Sequence, residues 1–313
     1  MSLVFDPDRL RASLQPLTAM QPLSEEGLAY QRFYGLAQLK AEGLVSSRLG
    51  RFDVGGYEIV TQLWTPDRPV ATLILMHGFY DHMGLYRHLI DWALQQNFAV
   101  IACDLPGHGL SSGSRASIKD FAEYQVVLER LFVEADTLAL PKPWHLCGQS
   151  TGGAIVVDHL LNRGAESPAQ GQAILLAPLV RPRAWRWSKL SYQMLRHFVK
   201  GIERRFSENS SDPGFLPFLL TDPLQPRRLP TAWVGALAQW IKRIEAAPTS
   251  ERSPLIIQGE ADMTVDWVHN MAVLNAKFAQ PRVLMIPEAR HHLANESPEI
   301  RARYLEFLKR RIG

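Results

Sequence analysis

Pro143-Trp144-His145-Leu146-Cys147-Gly148-Gln149-Ser150-Thr151-Gly152-Gly153-Ala154-Ile155-Val156-Val157-Asp158-His159-Leu160-Leu161 carries the reading on which the rest of the chain depends. Residues 143–147 read as a short buried strand and residues 153–161 as a helix. Between them lies Gly148-Gln149-Ser150-Thr151-Gly152, a Gly-x-Ser-x-Gly at a strand-to-helix junction. This is the pattern of a nucleophile elbow, a turn so tight that the serine backbone is strained and side chains on the flanking glycines would strike the neighbouring strand and helix. Such a turn would hold Ser150 Oγ above a sheet, beside a helix N-terminus whose free N–H groups favour negative charge. So short a match also arises by chance in an ordinary turn, so the surrounding chain has to decide.

Working outward, residues 70–76 and 98–103 are continuous apolar runs, as expected of strands buried on both faces. The first ends in His77-Gly78-Phe79-Tyr80-Asp81-His82 and is followed by a helix to about Gln96. The second ends in Asp104-Leu105-Pro106-Gly107-His108-Gly109, and Ser117 starts a long helix to about Leu138. After the elbow helix, residues 172–177 read as a further strand. Strands alternating with helices imply an α/β fold, a mostly parallel sheet flanked by helices. Upstream, Ser24 caps a helix expected to run to about Lys40 and end at Gly43, and residues 48–54 and 57–64 form a hairpin turned by Gly55-Gly56. From about Leu179 to Pro248 strand runs give way to helical stretches broken by Asp212-Pro213-Gly214, Asp222-Pro223 and Leu229-Pro230. Alternation then resumes with a strand over 255–258, a helix over 265–278, a strand over 282–286 and a terminal helix from Pro298. The expected organisation is a first core part (1–178, with the N-terminal helix), a helical cap or lid inserted after the strand that follows the elbow (179–248), and a second core part (249–313).

With 313 residues, 46% of them hydrophobic and 21% charged, the chain has the composition of an ordinary globular protein with a substantial core. A net charge of +3 is too small to imply nucleic-acid binding. The start, Met1-Ser2-Leu3-Val4-Phe5-Asp6, has neither a basic n-region nor an apolar h-region, so a secretory signal is not expected. No run reaches the roughly 18 apolar residues of a membrane span. The expected location is the cytoplasm. Cys103 and Cys147 end strands that another strand should separate, by about 9–10 Å, too far for a disulfide. Two buried thiols are expected.

In an open parallel sheet, functional groups gather at the carboxyl ends of the strands. Here those ends carry His77-Gly78-Phe79, Ser150, Asp262 and His291-His292, in the order serine, acid, histidine. A serine hydroxyl is a poor nucleophile until a base takes its proton, imidazole is the side chain that titrates near neutrality, and a carboxylate fixes its tautomer. Asp262 directly follows a strand and Gly259 and is favoured as the acid; Asp266, in the first turn of a helix, is the second candidate, with capping as its plainer role. Of His291 and His292 only one can face Ser150. The N–H groups of Thr151 and Phe79 are the candidate oxyanion hole, Phe79 having the alternative of being only a pocket wall. His77, under that loop, suits a structural hydrogen bond. There is no His-Glu-x-x-His and no Cys/His cluster, so neither a metal nor another cofactor is expected.

Five stretches then carry a resemblance: His77-Gly78-Phe79-Tyr80-Asp81-His82, Asp104-Leu105-Pro106-Gly107-His108-Gly109-Leu110-Ser111, Gly148-Gln149-Ser150-Thr151-Gly152-Gly153, Gln258-Gly259-Glu260-Ala261-Asp262 and Ala289-Arg290-His291-His292-Leu293-Ala294-Asn295-Glu296. From about Phe52 to Arg311 the chain resembles the monoacylglycerol lipase and lysophospholipase branch of the α/β-hydrolases, also described as serine-aminopeptidase-like. The resemblance implies the α/β-hydrolase fold, a catalytic Ser150, Asp262 and His291, with His292 packed beside the site, and a cap over it. The family usually has His and Met around the elbow serine, where this chain has Gln149 and Thr151, and Gly-Glu-His after the oxyanion strand's His-Gly. These departures line the pocket, so Tyr80 and Gln149 are candidate substrate-binding residues.

Between Arg181 and Glu245 there are 12 basic and 5 acidic residues, so positive charge concentrates in the inserted segment. Trp185, Trp187, Trp233, Trp240 and Phe215 lie there too. Interleaved tryptophan and arginine suit a headgroup interface or an aromatic-roofed acyl tunnel, which makes Trp185, Trp187 and Phe215 candidate substrate contacts; the plainer reading is a small cap core with a solvated basic face. The expected function is hydrolysis of a fatty-acyl lipid ester, lysophospholipid or monoacylglycerol-like, through an acyl-enzyme, with peripheral contact at the inner membrane surface through the cap. The alternatives are an aminopeptidase or amidase of the same fold and a receptor-like binding protein.

Overall fold

Apolar runs with no polar alternation have to be covered on both sides, and the centre of the sheet is built from them. The computed structural model describes residues 5–19, 21–39, 45–195 and 198–312. Its strands are β1 (Val45–Val54), β2 (Tyr57–Pro66), β3 (Ala71–Met76), β4 (Phe98–Cys103), β5 (Trp144–Gln149), β6 (Ala173–Leu176), β7 (Gly201–Glu203), β8 (Arg228–Pro230), β9 (Leu255–Gly259) and β10 (Arg282–Ile286). Its helices are α1 (Pro7–Ser13), α2 (Glu25–Phe33), α3 (Arg87–Gln95), α4 (Ala122–Thr137), α5 (Thr151–Arg163), α6 (Trp185–Leu195), α7 (Phe215–Thr221), α8 (Thr231–Ala246), α9 (Trp267–Lys277) and α10 (Pro298–Ile312). Every residue of β3, β4 and β5 is buried.

The main sheet has the order β1-β2-β4-β3-β5-β6-β9-β10. β1 and β2 form the antiparallel edge, with β2 antiparallel to β4. All other pairings in it are parallel. The carboxyl ends of β3, β5, β9 and β10 therefore lie along one rim. Ile74, Ile101 and Leu146 pack on one face against Leu128 and Leu131 of α4 and Val156 and Leu160 of α5. Leu73, Leu75, Val100 and Ile257 pack on the other against Leu89 and Ile90 of α3, Tyr30 of α2 and Tyr304 of α10. Each such Leu, Ile or Val contributes about 1.5–3 kcal/mol when fully buried. Cys103 and Cys147 are free and buried, on β4 and β5 with β3 between them.

Three local readings are corrected. The helix expected to reach Lys40 stops at Phe33, because Gly35 turns left-handed (φ 70°) and only a short 3-10 turn, Leu36–Gln38, follows. Its expected end at Gly43 lies outside the described residues. The helix expected from Ser117 starts at Ala122, because Glu123 Oε1 accepts from the N–H groups of Lys119 and Asp120 and holds them in a turn. Between β6 and β9 the segment is not wholly helical: β7 and β8 pair antiparallel, with Gly201 opposite Pro230. Strands of three residues are too short to show a period in sequence.

Candidate active site

The turn after β5 has the geometry its glycines imply. Ser150 sits at φ 51° and ψ −109°, at the N-cap of α5. A Cβ on Gly148 would overlap the Gly152 carbonyl, and one on Gly152 would overlap the Met76 carbonyl of β3. A positive φ on a non-glycine residue is a strained conformation that persists only when its surroundings enforce it. A similar close approach shapes the acid and histidine loops. A Cβ on Gly259 would overlap the Ala289 carbonyl, and Ala261 N–H donates to that carbonyl at 3.1 Å.

These loops bring together three side chains far apart in sequence. Ser150 Oγ lies 3.0 Å from His291 Nε2, and His291 Nδ1 lies 2.7 Å from Asp262 Oδ2. Asp262 is only 3% exposed, and its Oδ1 accepts from the N–H groups of Thr264 (2.8 Å) and Val265 (3.1 Å). Burial opposes its charge, but His291 and those two N–H groups overcome that cost and hold the carboxyl below its ordinary range. Burial likewise opposes the His291 imidazolium, and the Asp262 carboxylate more than compensates, so His291 titrates above 6.5. Asp266 takes the capping position of α9, its Oδ1 accepting from His269 N–H at 3.3 Å. Gln149 clamps the histidine loop. Its Nε2 donates to the His291 carbonyl at 2.8 Å and its Oε1 accepts from Ala294 N–H at 3.1 Å.

The loop after β3 is fixed from below. Leu105 N–H donates to His77 Nε2 at 2.8 Å, and His77 Nδ1 lies 2.7 Å from the Gly78 carbonyl. Burial lowers the His77 pKa, which suits the neutral tautomer this pattern needs. Gly78 N–H donates to Tyr86 Oη at 2.9 Å, and Tyr86 donates to Asp81 Oδ2 at 2.8 Å.

Two buried histidine–carboxylate pairs, which sequence reasoning did not find, hold this loop to its neighbours. His292 Nε2 meets Asp81 Oδ2 at 3.1 Å and ties it to the His291 loop. His82 Nε2 meets Asp222 Oδ2 at 2.9 Å and ties it to the inserted segment, where Asp222 also accepts from Tyr34 Oη (2.6 Å) and Gln225 Nε2 (3.0 Å). His292 is thus a hydrogen-bonding partner of Asp81 as well as a packed neighbour. No periodic signal marks either pair.

Burial works against the His82 cation, but Asp222 outweighs it and raises the pKa above 6.5. Burial also works against the Asp222 anion, but His82 outweighs it and lowers the pKa below 3.8. The histidine's contribution to stability is therefore complete below pH 6.5 and lost as pH rises through the raised folded value. The aspartate's is present above pH 3.8 and lost as pH falls through the lowered one. The pair supports the fold most between these limits. Asp222→Asn is expected to cost about 3–5 kcal/mol near pH 6, because it leaves a buried cation unpaired, and the difference should shrink at alkaline pH. Denaturant unfolding of both proteins near pH 6 and pH 9 checks this; a difference independent of pH would refute it.

Ser150 and His291 open into a cavity of about 300 Å³. Phe79, Tyr80, Gln149 and Thr151 line it as well, together with Arg204, Phe206, Leu229 and Trp233 of the inserted segment. Phe79 stacks on Trp233 with ring centroids 3.7 Å apart. Among the described residues, no hydrogen bond to another protein group engages the N–H of Phe79 or of Thr151.

Trp185, Trp187 and Phe215 are corrected, since none lines this cavity. Residues two apart on a helix point about 200° apart. Trp185 accordingly turns into the core while Trp187 stands 73% exposed. Phe215 packs on His292, with centroids 4.5 Å apart, and closes off its outer side. The segment reaches the cavity instead through the irregular stretch after β7, Leu219 of α7, Leu229 of β8 and Trp233 in the first turn of α8. Among the described residues there is no group of His, Cys, Asp and Glu that could hold a metal, and no helix long and apolar enough to cross a membrane.

Residues 67–298 match the Hydrolase_4 family, described as serine aminopeptidase, S33. Over 262 residues the chain is 28% identical to the monoglyceride lipase of Mus musculus, covering 78% of this chain and 83% of that protein. It is 34% identical over 125 residues to the monoacylglycerol lipase of Mycolicibacterium smegmatis (40% of this chain, 43% of that one). It is 34% identical over 95 residues to phospholipase YtpA of Bacillus subtilis (30% and 36%). These last two matches span less than half the length of either relative. Among solved structures, a soluble variant of the Saccharomyces cerevisiae monoglyceride lipase, in complex with a substrate analogue, superimposes with a TM-score of 0.73 at 17% identity, covering 87% of this chain and 96% of that one. The likeness to it is one of fold. On the family match, which takes in most of its length, the chain belongs to the serine aminopeptidase S33 family, in the monoacylglycerol lipase-like branch of the α/β-hydrolases.

Proposed function

We propose that the protein hydrolyses fatty-acyl esters through an acyl-enzyme on Ser150. The observation that carries this reading is the Ser150–His291–Asp262 chain, at 3.0 and 2.7 Å, opening into a largely apolar cavity. His291 Nε2 takes the Ser150 proton as Oγ adds to the ester carbonyl. The N–H groups of Phe79 and Thr151 hold the oxyanion, and Asp262 stabilises the imidazolium. Collapse of the tetrahedral adduct breaks the bond to the alcohol, which leaves with the proton from His291. Water then adds to the acyl-enzyme, giving its proton to His291, and the fatty acid departs as that proton returns to Ser150.

Residues 179–248 act as a cap over this site, contributing Phe206, Leu229 and Trp233 as apolar walls. Its outer face suits a lipid surface: Trp187 and Phe198 are 73% and 85% exposed, among Arg186, Lys189 and Lys200. Peripheral contact with an anionic membrane is part of the proposal. The names of the relatives support a lipid ester. The peptidase reading would need a free carboxylate to hold a substrate amine, and Asp81, the carboxylate in the cavity lining, is already paired with His292.

The test is fatty-acid release from monoacylglycerol, lysophospholipid and short-chain esters, with a covalent serine-directed phosphonate to identify the nucleophile. Release that stops when Ser150 is labelled is the expected result. Turnover that persists after labelling, or labelling elsewhere, would overturn the reading.

A further inference from the structure

We propose that Arg204 is the recognition site for an anionic group, a phosphate, on the leaving-alcohol side of the substrate. This rests on the hydrolase reading above and names the substrate chemistry of the same site. Arg204 lines the cavity that holds Ser150 and His291. Its guanidinium lies between two aromatic rings, 4.1 Å from the Tyr80 centroid and 4.2 Å from that of Phe206. On one side, Nη1 donates to Gln225 Oε1 at 2.7 Å and to the Pro226 carbonyl at 3.2 Å. Nε and Nη2 donate to no described protein group, and Arg204 forms no ion pair with a described carboxylate.

Asp81 and Asp222 are the carboxylates that act on Arg204, and each is hydrogen-bonded to a histidine, His292 and His82, rather than to the guanidinium. Arg205, also in the cavity lining, adds a second cation and has no ion-pair partner among the described residues. The guanidinium is half-buried, and the edge formed by Nε and Nη2 is left open for a ligand in the cavity. Two rings fix its plane, and a planar guanidinium with free N–H groups matches the oxygen pair of a phosphate. Stacking on Tyr80 also couples it to the loop that carries Phe79 and hence to the reacting carbonyl.

The test compares hexanoyl glycerol, hexanoyl glycerol 3-phosphate and hexanoyl glycerophosphocholine, all below their micelle concentrations so that membrane attraction plays no part. For Arg204→Gln, kcat/KM on a phosphate-bearing ester is expected to fall about 10–100-fold more than on the neutral ester, the worth of hydrogen bonds to a charged group; Arg204→Lys should restore part of that selective loss. Loss on the monoester alone or on both phosphate esters upholds the proposal and tells a dianion from a diester. Equal loss on all three esters would assign Arg204 only to holding the Gln225 loop, and no loss on either phosphate ester would overturn the proposal outright. Should wild type cleave none of the three, the hydrolase reading fails separately. Calorimetric binding of hexanoyl glycerol 3-phosphate then decides: weakening by Arg204→Gln upholds the site, and unchanged binding overturns it.

Discussion

Ser150→Ala is expected to lower kcat for acyl-ester hydrolysis by about 10⁵–10⁶-fold. Removing one oxygen takes away the nucleophile, and nothing else in the cavity replaces it. His291 is placed to move a proton from Oγ at 3.0 Å. With no Oγ it can only assist a water that the elbow does not position. The turnover that remains would come from binding and from the Phe79 and Thr151 N–H groups, which the substitution leaves in place. The fold should survive, because the backbone at φ 51° is enforced by Gly148 and Gly152 packed against their neighbours rather than by the hydroxyl. The measurement is fatty-acid release by purified wild type and variant, alongside thermal unfolding of both. An unfolding midpoint close to wild type with a tenth or more of the activity retained would remove Ser150 from the mechanism.

Asp262→Asn should lower kcat about 10⁴-fold and displace the pH profile. The amide retains the shape but presents a different donor and acceptor set to His291 Nδ1, which lies 2.7 Å from Asp262 Oδ2. The working base is the neutral imidazole, so activity is lost as pH falls through the His291 pKa. In the wild type that value lies above 6.5, because the Asp262 carboxylate outweighs the effect of burial. In the variant the burial stays and the carboxylate is gone, so the acid limb of kcat/KM should move to lower pH. Asp266→Asn, by contrast, touches only the cap of α9. It should cost about 0.5–2 kcal/mol of stability at most and leave the profile in place. Activity and pH profiles of both variants settle the assignment; a larger loss from Asp266→Asn would reverse it.

The alternation of strands and helices, the elbow and the order serine, acid, histidine were all legible in the chain. They depend on local periodicity and on the succession of elements, and a fully buried strand such as Phe98–Cys103 announces itself as an unbroken apolar run. The elbow was legible because its glycines answer a steric need within a few residues: Gly148 must clear Gly152. Ser150 and Asp262 followed from the rim on which such strands end, and His291 was singled out from His292 by the family resemblance. The aromatic residues of the inserted segment were a different matter. Composition marked the segment, but it gave no means of telling Trp187, turned to solvent, from Trp233, stacked on Phe79.

What only the tertiary structure decided was pairing at a distance. His82 and Asp222 are 140 residues apart, and Asp81 and His292 are 211 apart. Neither pair leaves a mark in its own neighbourhood, because a charged side chain in an irregular loop reads the same whether its partner lies across the core or in water. The same holds for Arg204, whose unpaired state depends on where two other aspartates find their histidines. Periodicity records which face of an element is buried, so the sequence by itself determined the sheet, the elbow and the candidate triad. Packing alone determined which arginine faces the cavity and what holds the loop after β3 in place, since each is a distance between segments that the chain order does not encode.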